Sequence, residues 1–219
     1  MQEKFKKALS LRIIPVVAIY DDNDAHNLSD ALIAGGLPCA EITFRTDAAA
    51  EAIKKIATRD DMIVGAGTVL KIDQVKQAID CGACFVVSPG FNPKVVRYCI
   101  EHSIPIAPGI STPTDIEMAL EFELNIVKFF PAEAFGGLKT LKAISAPYQM
   151  MKFIPTGGIG PQNVIEYLKH PKVVACGGSW MVKSDLISNG QFEEITRLSR
   201  QAVDLTRKAN FVTMGRKSK

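Results

Sequence analysis

Histidine is scarce in this chain and never clustered. The 3 histidines are His26, His102 and His170. His26 and His170 belong with helix-like stretches, and His102 sits at a helix end. No His/Asp/Glu group has metal-ligand spacing, which argues against a metal-dependent mechanism. No metal and no cofactor is expected. The 5 cysteines (Cys39, Cys81, Cys84, Cys99 and Cys176) are odd in number and scattered. That argues against a disulfide framework. Cys81-Gly-Ala-Cys84 has C-x-x-C spacing, yet neither a second ligand pair nor a helix start accompanies it. The pair reads as two small hydrophobes where a helix runs into a strand. No apolar run approaches the roughly 18 residues that span a membrane. The opening Met1-Gln-Glu-Lys-Phe-Lys-Lys7 lacks the apolar stretch of a signal peptide. A cytoplasmic location without membrane contact is expected. A net charge of +3 is too small to argue for a nucleic-acid partner.

What the chain does have is alternation. Strand-like runs fall at Ile13–Ile19, Pro38–Thr43, Met62–Ala66, Cys84–Ser88, Ile104–Ala107, Asn125–Phe130, Lys152–Pro155 and Val173–Cys176. Helix-like stretches lie between them: Ala25–Ala34, Ala48–Ala57, Gln74–Ile79, Lys94–Glu101, Thr114–Phe122, Leu138–Ile144, Gln162–Lys169 and Phe192–Ala209. This is the pattern of βαβ units on a parallel sheet. With 219 residues, 47% of them hydrophobic, it predicts an α/β fold: a (β/α)8 TIM barrel in a single domain over 1–219. The alternative, a doubly wound open sheet, usually carries a Gly-x-Gly-x-x-Gly turn after its first strand. Here that turn reads Tyr20-Asp-Asp-Asn-Asp24. An extra N-terminal helix, Gln2–Leu9, is expected under the barrel. Asn23 or Asp24 can cap the first barrel helix and Thr112-Pro113 the fifth, while Gly35-Gly36 and Gly82 end helices. Residues 210–219 read as a flexible basic tail.

Lys128 is the most informative residue. It sits in the apolar run Asn125-Ile-Val-Lys-Phe-Phe-Pro131, and lysine is almost never buried unless paired or chemically employed. A desolvated amine is a nucleophile that forms Schiff bases with carbonyl compounds. Side chains alternate along a strand. Ile126, Lys128 and Phe130 therefore share one face, and Glu41, Thr43 and Arg45 share another. The opposing sets, Val127 with Phe129 and Ala40 with Ile42 and Phe44, are apolar and suit the helix-covered outside. Lys128 and Glu41 should then meet in the lumen, as a catalytic pair or as a purely structural ion pair. Lys152 is a rival amine, but it opens its strand and belongs to the opposite rim.

Active sites of such barrels lie at the C-terminal strand ends. Polar and glycine residues collect there: Thr68, Ser88-Pro89-Gly90, Thr156-Gly157-Gly158 and Gly177-Gly178-Ser179. The last two groups follow adjacent strands, where barrels often bind phosphate through backbone N–H groups.

These residues resemble the KHG/KDPG aldolase family, class I aldolases acting on 2-keto-3-deoxy-6-phosphogluconate (KDPG). The resemblance is carried by Glu41-Ile-Thr-Phe-Arg-Thr46, Val64-Gly-Ala-Gly-Thr-Val69, Val87-Ser-Pro-Gly90 and Ile106-Ala-Pro-Gly-Ile-Ser-Thr112. It continues through Val127-Lys-Phe-Phe-Pro-Ala-Glu133, Pro155-Thr-Gly-Gly-Ile159 and Gly177-Gly-Ser-Trp180. By position it implies Lys128 as the Schiff-base lysine and Glu41 as the general acid/base. Arg45 and Thr68 fall at the carboxylate end of pyruvate, and Pro89 and Phe130 line the pocket. Thr156, Gly157, Gly158, Gly178 and Ser179 fall at the phosphate end. The implied partners are a phosphorylated keto acid and pyruvate, with 4-hydroxy-2-oxoglutarate as a second substrate. A homotrimer and a place in the Entner–Doudoroff pathway are also implied. Two departures bear on substrate binding, the first on an anion contact from the loop after strand one and the second on the sugar end. Tyr20 stands where some relatives carry arginine, and Phe135 precedes Gly136-Gly137 where a polar residue often stands. The competing readings are a sugar-phosphate isomerase or synthase, a non-catalytic sugar-phosphate binder, and a related pyruvate aldolase preferring a galactonate-derived or unphosphorylated keto acid.

Overall fold

The computed structural model describes residues 1–214, with side chains through Ala209. Its strands are β1 (Ile13–Val17), β2 (Cys39–Thr43), β3 (Ile63–Gly67), β4 (Val86–Val87), β5 (Ile106–Ala107), β6 (Gly109–Ile110), β7 (Ile126–Phe129), β8 (Lys152–Pro155) and β9 (Cys176–Gly178). Its helices are α1 (Gln2–Ser10), α2 (Ala25–Ala34), α3 (Ala49–Ala57), α4 (Ile72–Asp80), α5 (Pro93–Glu101), α6 (Pro113–Glu121), α7 (Gly137–Ser145), α8 (Val164–Leu168), α9 (Ser184–Ser188) and α10 (Phe192–Met214). The basic tail expected from residue 210 onward lies outside the described side chains, and residues 215–219 outside the described residues.

All strand pairings are parallel. One run is ordered β5-β4-β3-β2-β1-β9 and the other β6-β7-β8. Bridges between Phe153 and Val173, and between Thr156 and Gly177, join β8 to the β9 segment. The expected fifth strand, Ile104–Ala107, is found as β5, and β6 follows it beyond the expected end, separated by Pro108, which has no N–H to give a ladder. Its carbonyl still accepts from the Lys128 N–H at 2.9 Å. The curled sheet is the (β/α)8-like barrel that the alternation predicts.

The last strand lies further along the chain than its sequence suggests. Val173–Cys176 was expected as the last strand, but β9 runs Cys176–Gly178 and pairs with Ile13, Ile14 and Pro15. Glycines that look like a turn in sequence are held extended by a neighbour, a case of tertiary pairing overriding local preference. The short α9 follows and has no counterpart among the predicted helices.

Strand parity sorts the apolar side chains into two cores. Ala40, Ile42, Val127 and Phe129 face the helices in the larger core. Ile14, Cys39, Ile63, Phe85 and Ile154 fill the lumen. Each large side chain fully buried this way contributes about 1.5–3 kcal/mol. The lumen is plugged from below by α1, whose Phe5, Ala8 and Leu9 are buried. The Phe5 ring lies 5.1 Å from that of Phe85. Gly65 makes room for the latter, since a Cβ there would fall 2.2 Å from the Phe85 ring.

Arg12 fastens the seam at the same end. Its guanidinium donates to the carbonyls of Leu168 (2.7 Å), Val174 (2.9 Å) and Val173 (3.0 Å). Capping agrees with the sequence at Thr112, whose hydroxyl accepts from Asp115 N–H at 3.2 Å while Asp115 accepts from Thr112 N–H at 2.9 Å. It differs before α2. Neither Asn23 nor Asp24 gives a side-chain cap. Instead Asp21 accepts from Asn23 N–H at 2.9 Å and opens a 3-10 turn over Asp22–Asp24.

Candidate active site

Lys128 and Glu41 meet in the lumen. Lys128 Nζ lies 3.4 Å from Glu41 Oε1, and the two residues are 5% and 3% exposed. β7 and β2 bring them there by the alternation that turns their neighbours outward. The ammonium also sits 4.9 Å above the Phe130 ring, a cation–π contact that offsets part of its desolvation. An amine beside a carboxylate, both shielded from bulk water, can add to a carbonyl and exchange the protons that addition requires.

Together with Val16, Ile159 and Gly177, the predicted residues line one cavity of about 250 Å³. Arg45, Thr68, Pro89, Phe130, Thr156, Gly157, Gly158, Gly178 and Ser179 all reach it, as do Lys128 and Glu41. Arg45 is anchored through its Nε, which donates to Thr43 Oγ1 at 3.0 Å. Thr43 in turn donates to Val17 O at 2.7 Å. Thr68 adopts φ +55, a conformation costing a threonine on the order of 1–3 kcal/mol. Pro89 enters because its loop folds onto β6 at Gly109, where a Cβ would come within 2.0 Å of Pro89 O.

The far wall is built from backbone. Gly157 and Gly158 have φ +95 and +78, which only glycine adopts readily. The N–H groups of Gly158 and Ser179 find no acceptor among the described residues, while that of Gly157 faces the last strand through the bridge between Thr156 and Gly177. Trp180 folds back over Gly178, leaving no space for a side chain there. Unpaired amides on glycine turns are a ready anion cradle.

Thr43, Val16, Ile159 and Gly177 line the cavity without having been nominated. Strand parity already turns Thr43 inward with Glu41, and Gly177 stands in the glycine group after the last strand, but neither has a role of its own in the sequence pattern. Lys152 is excluded from the site: it opens β8 at the opposite rim and donates to Pro171 O at 3.4 Å. Tyr20 and Phe135 are 68% and 47% exposed, and neither lines the cavity. The thiols of Cys39 and Cys176 are driven by burial well above the ordinary range, which leaves them inert hydrophobes. Among the described residues no His, Cys, Asp or Glu group could hold a metal ion, and no helix is long and apolar enough to cross a membrane.

A barrel with a buried amine–carboxylate pair under a rim of unpaired amides defines a class, namely barrel enzymes acting on a small anionic molecule at the C-terminal strand ends. Comparison with known proteins narrows it. Residues 2–198 match the family model described as KDPG and KHG aldolase. A 2-dehydro-3-deoxy-phosphogluconate aldolase of Treponema pallidum (strain Nichols) is 50% identical over 92% of this chain and 96% of its own. The KDPG aldolase of Legionella pneumophila, solved with pyruvate captured at low pH as a covalent carbinolamine intermediate, is 38% identical with a TM-score of 0.86. It covers 89% of this chain and 96% of its own. The 2-keto-3-deoxy-6-phosphogluconate aldolase of Zymomonas mobilis ZM4, solved with 3-phosphoglycerate, is 35% identical with a TM-score of 0.85. It covers 93% of this chain and 96% of its own. The chain belongs to the KDPG and KHG aldolase family.

Proposed function

We propose that this protein is a class I aldolase that reversibly cleaves KDPG to pyruvate and glyceraldehyde 3-phosphate. It also cleaves 4-hydroxy-2-oxoglutarate to pyruvate and glyoxylate. The observation that carries the reading is the 3.4 Å approach of Lys128 Nζ to Glu41 Oε1 inside a closed lumen. The covalent carbinolamine in the Legionella relative supports it.

On this reading Lys128 Nζ adds to the C2 ketone and forms a carbinolamine. Loss of water gives an iminium, with Glu41 supplying the proton that leaves with the hydroxyl. Glu41, again a carboxylate, takes the C4 hydroxyl proton through a water. The C3–C4 bond then breaks, its electron pair flows into the iminium, and the aldehyde departs. Protonation of the resulting enamine at C3 and hydrolysis release pyruvate and the free amine. A positioned acid/base of this kind contributes about 10²–10⁴-fold.

Arg45 and Thr68 hold the carboxylate of the keto acid, Arg45 by a bidentate grip that lysine could not reproduce. Pro89 and Phe130 flank the carbon chain. Thr156, Gly157, Gly158, Gly178 and Ser179 receive the phosphate, in part through the amides of Gly158 and Ser179, which have no other acceptor among the described residues. Residues 1–219 form one aldolase domain, working as a cytoplasmic homotrimer in the Entner–Doudoroff pathway.

The deciding experiment is a coupled assay of pyruvate release from KDPG and from 4-hydroxy-2-oxoglutarate, paired with borohydride reduction in the presence of pyruvate. Turnover of both, with a trapped adduct on Lys128, is expected. Turnover without an adduct on Lys128 overturns the mechanism, and an adduct without release from either substrate overturns the substrate assignment.

A further inference from the structure

The Gly157–Gly158 turn is held by groups outside the cavity. Pairing between β7 and β8 continues past both strand ends. Thr156 N–H donates to Phe129 O at 3.0 Å, Ala132 N–H to Thr156 O at 2.8 Å, and Glu133 N–H to Gly157 O at 3.1 Å. Glu133 thereby rides alongside the turn. Its Cβ and Cγ press on Gly158 so closely that a Cβ at 158 would lie 2.6 Å from each. On the other side Asn163 Nδ2 donates to Gly158 O at 3.0 Å and Asn163 Oδ1 accepts from Gly160 N–H at 2.9 Å.

Glu133 itself is exposed and would be free to swing, except that the Tyr167 hydroxyl donates to its Oε1. Tyr167 is 1% exposed and projects from α8, the helix that follows the turn. Gly137 leaves room for this contact: a Cβ there would fall 2.9 Å from Glu133 Oε1 and 3.2 Å from the Tyr167 hydroxyl. Burial and then the adjacent Glu133 raise the pKa of the phenol, so it stays protonated and remains a donor.

We propose that Tyr167 is a positioning residue for the phosphate end of the cavity, acting through Glu133. The inference rests on the reading of Gly157 and Gly158 as that end. Two effects follow from the tether. It pins the side chain that packs against Gly158, and it fixes a carboxylate that would otherwise be free to approach the phosphate. Removing the hydroxyl releases both, at the phosphate end alone.

Tyr167→Phe keeps the buried ring and strands no buried partner, since Glu133 meets solvent. KM for KDPG and the inhibition constant of inorganic phosphate should each rise roughly 3- to 10-fold, the loss of about one hydrogen bond. By contrast, kcat/KM for 4-hydroxy-2-oxoglutarate, which has no phosphate, should stay within about twofold. Glu133→Ala should reproduce this split without touching a buried residue. Glu133→Gln keeps an acceptor for the tyrosine and should leave KM for KDPG near wild type. Equal losses on both substrates, or no change on either, overturn the proposal. The phosphate reading is tested separately with Tyr167 intact. If Ser179→Ala and Gly158→Ala leave phosphate inhibition unchanged in active enzyme, that reading falls and takes this proposal with it.

Discussion

The carboxylate of Glu41 occupies the space that a side chain at position 67 would need. A Cβ on Gly67 would lie 2.3 Å from Glu41 Oε1 and 2.9 Å from its Cδ. β2 and β3 pair with Thr43 opposite Gly67, so the carboxylate leans across the adjacent strand toward Lys128. Gly67→Ala should therefore displace Glu41 without removing it. Turnover should fall by about 10²-fold, the lower end of what a positioned acid/base contributes. Adding Glu41→Gln should cost little more, because the two changes act on one group. Fully additive losses, measured as kcat for the single and double variants, would separate Gly67 from Glu41.

Lys128→Ala should abolish the borohydride-trapped pyruvate adduct, read by intact mass. Turnover should drop by on the order of 10³-fold or more, as removal of a covalent nucleophile does elsewhere. Survival of the adduct would move the nucleophile to another amine.

Glu41→Gln retains shape and loses the exchangeable charge. A fall in kcat of about 10²–10⁴-fold is expected, with pyruvate affinity changed little. A large loss of pyruvate binding at unchanged kcat would recast Glu41 as a binding group.

Stability should depend on pH through His170. Burial lowers its pKa from the ordinary 6.5, and Lys142, Lys172 and Lys152 add to the effect. Its Nδ1 accepts from Lys172 N–H at 3.3 Å, which requires a neutral ring. Below about pH 6.5 the unfolded chain binds a proton that the folded protein resists, so stability falls as pH drops toward the lowered folded value. Above that window the group adds no pH dependence. Urea midpoints taken between about pH 7.5 and 5.5 should decline less steeply for His170→Gln than for the parent. Parallel declines would assign the effect elsewhere.

Arg12 tests the seam. Arg12→Ala strands the carbonyls of Leu168, Val173 and Val174, each a charge-assisted acceptor. The expected loss is about 2–4 kcal/mol, or roughly 5–15 °C in Tm for a chain of this size. Lysine at this position should recover only part of it, because a point charge cannot reach diverging carbonyls as a planar fork does.

Period-two alternation made the chemical centre legible before the fold. On β2 and β7 the outward residues are uniformly apolar, so Glu41 and Lys128 had one direction left. The rim glycines were legible as a group because they close successive strands. The break at Pro108 and the position of β9 were not, since both depend on which neighbour supplies the ladder. Gly65 and Gly67 read as ordinary strand-end glycines. Their use as hollows for Phe85 and for Glu41 appears only when the facing side chain is known. The contact between Glu133 and Tyr167 joins residues 34 positions apart, and no local pattern announces it.

Phe5 and Phe85, packed ring against tilted ring across the base of the lumen, turn the barrel into a blind well. Traffic then has one mouth. On the proposed mechanism the covalently held fragment sits deepest, on Lys128, and the phosphorylated fragment above it near the rim. Departure must run in reverse order of depth: aldehyde first, pyruvate last. In the synthetic direction pyruvate must load before its partner can enter. An aldehyde arriving early stands in the doorway as an inhibitor.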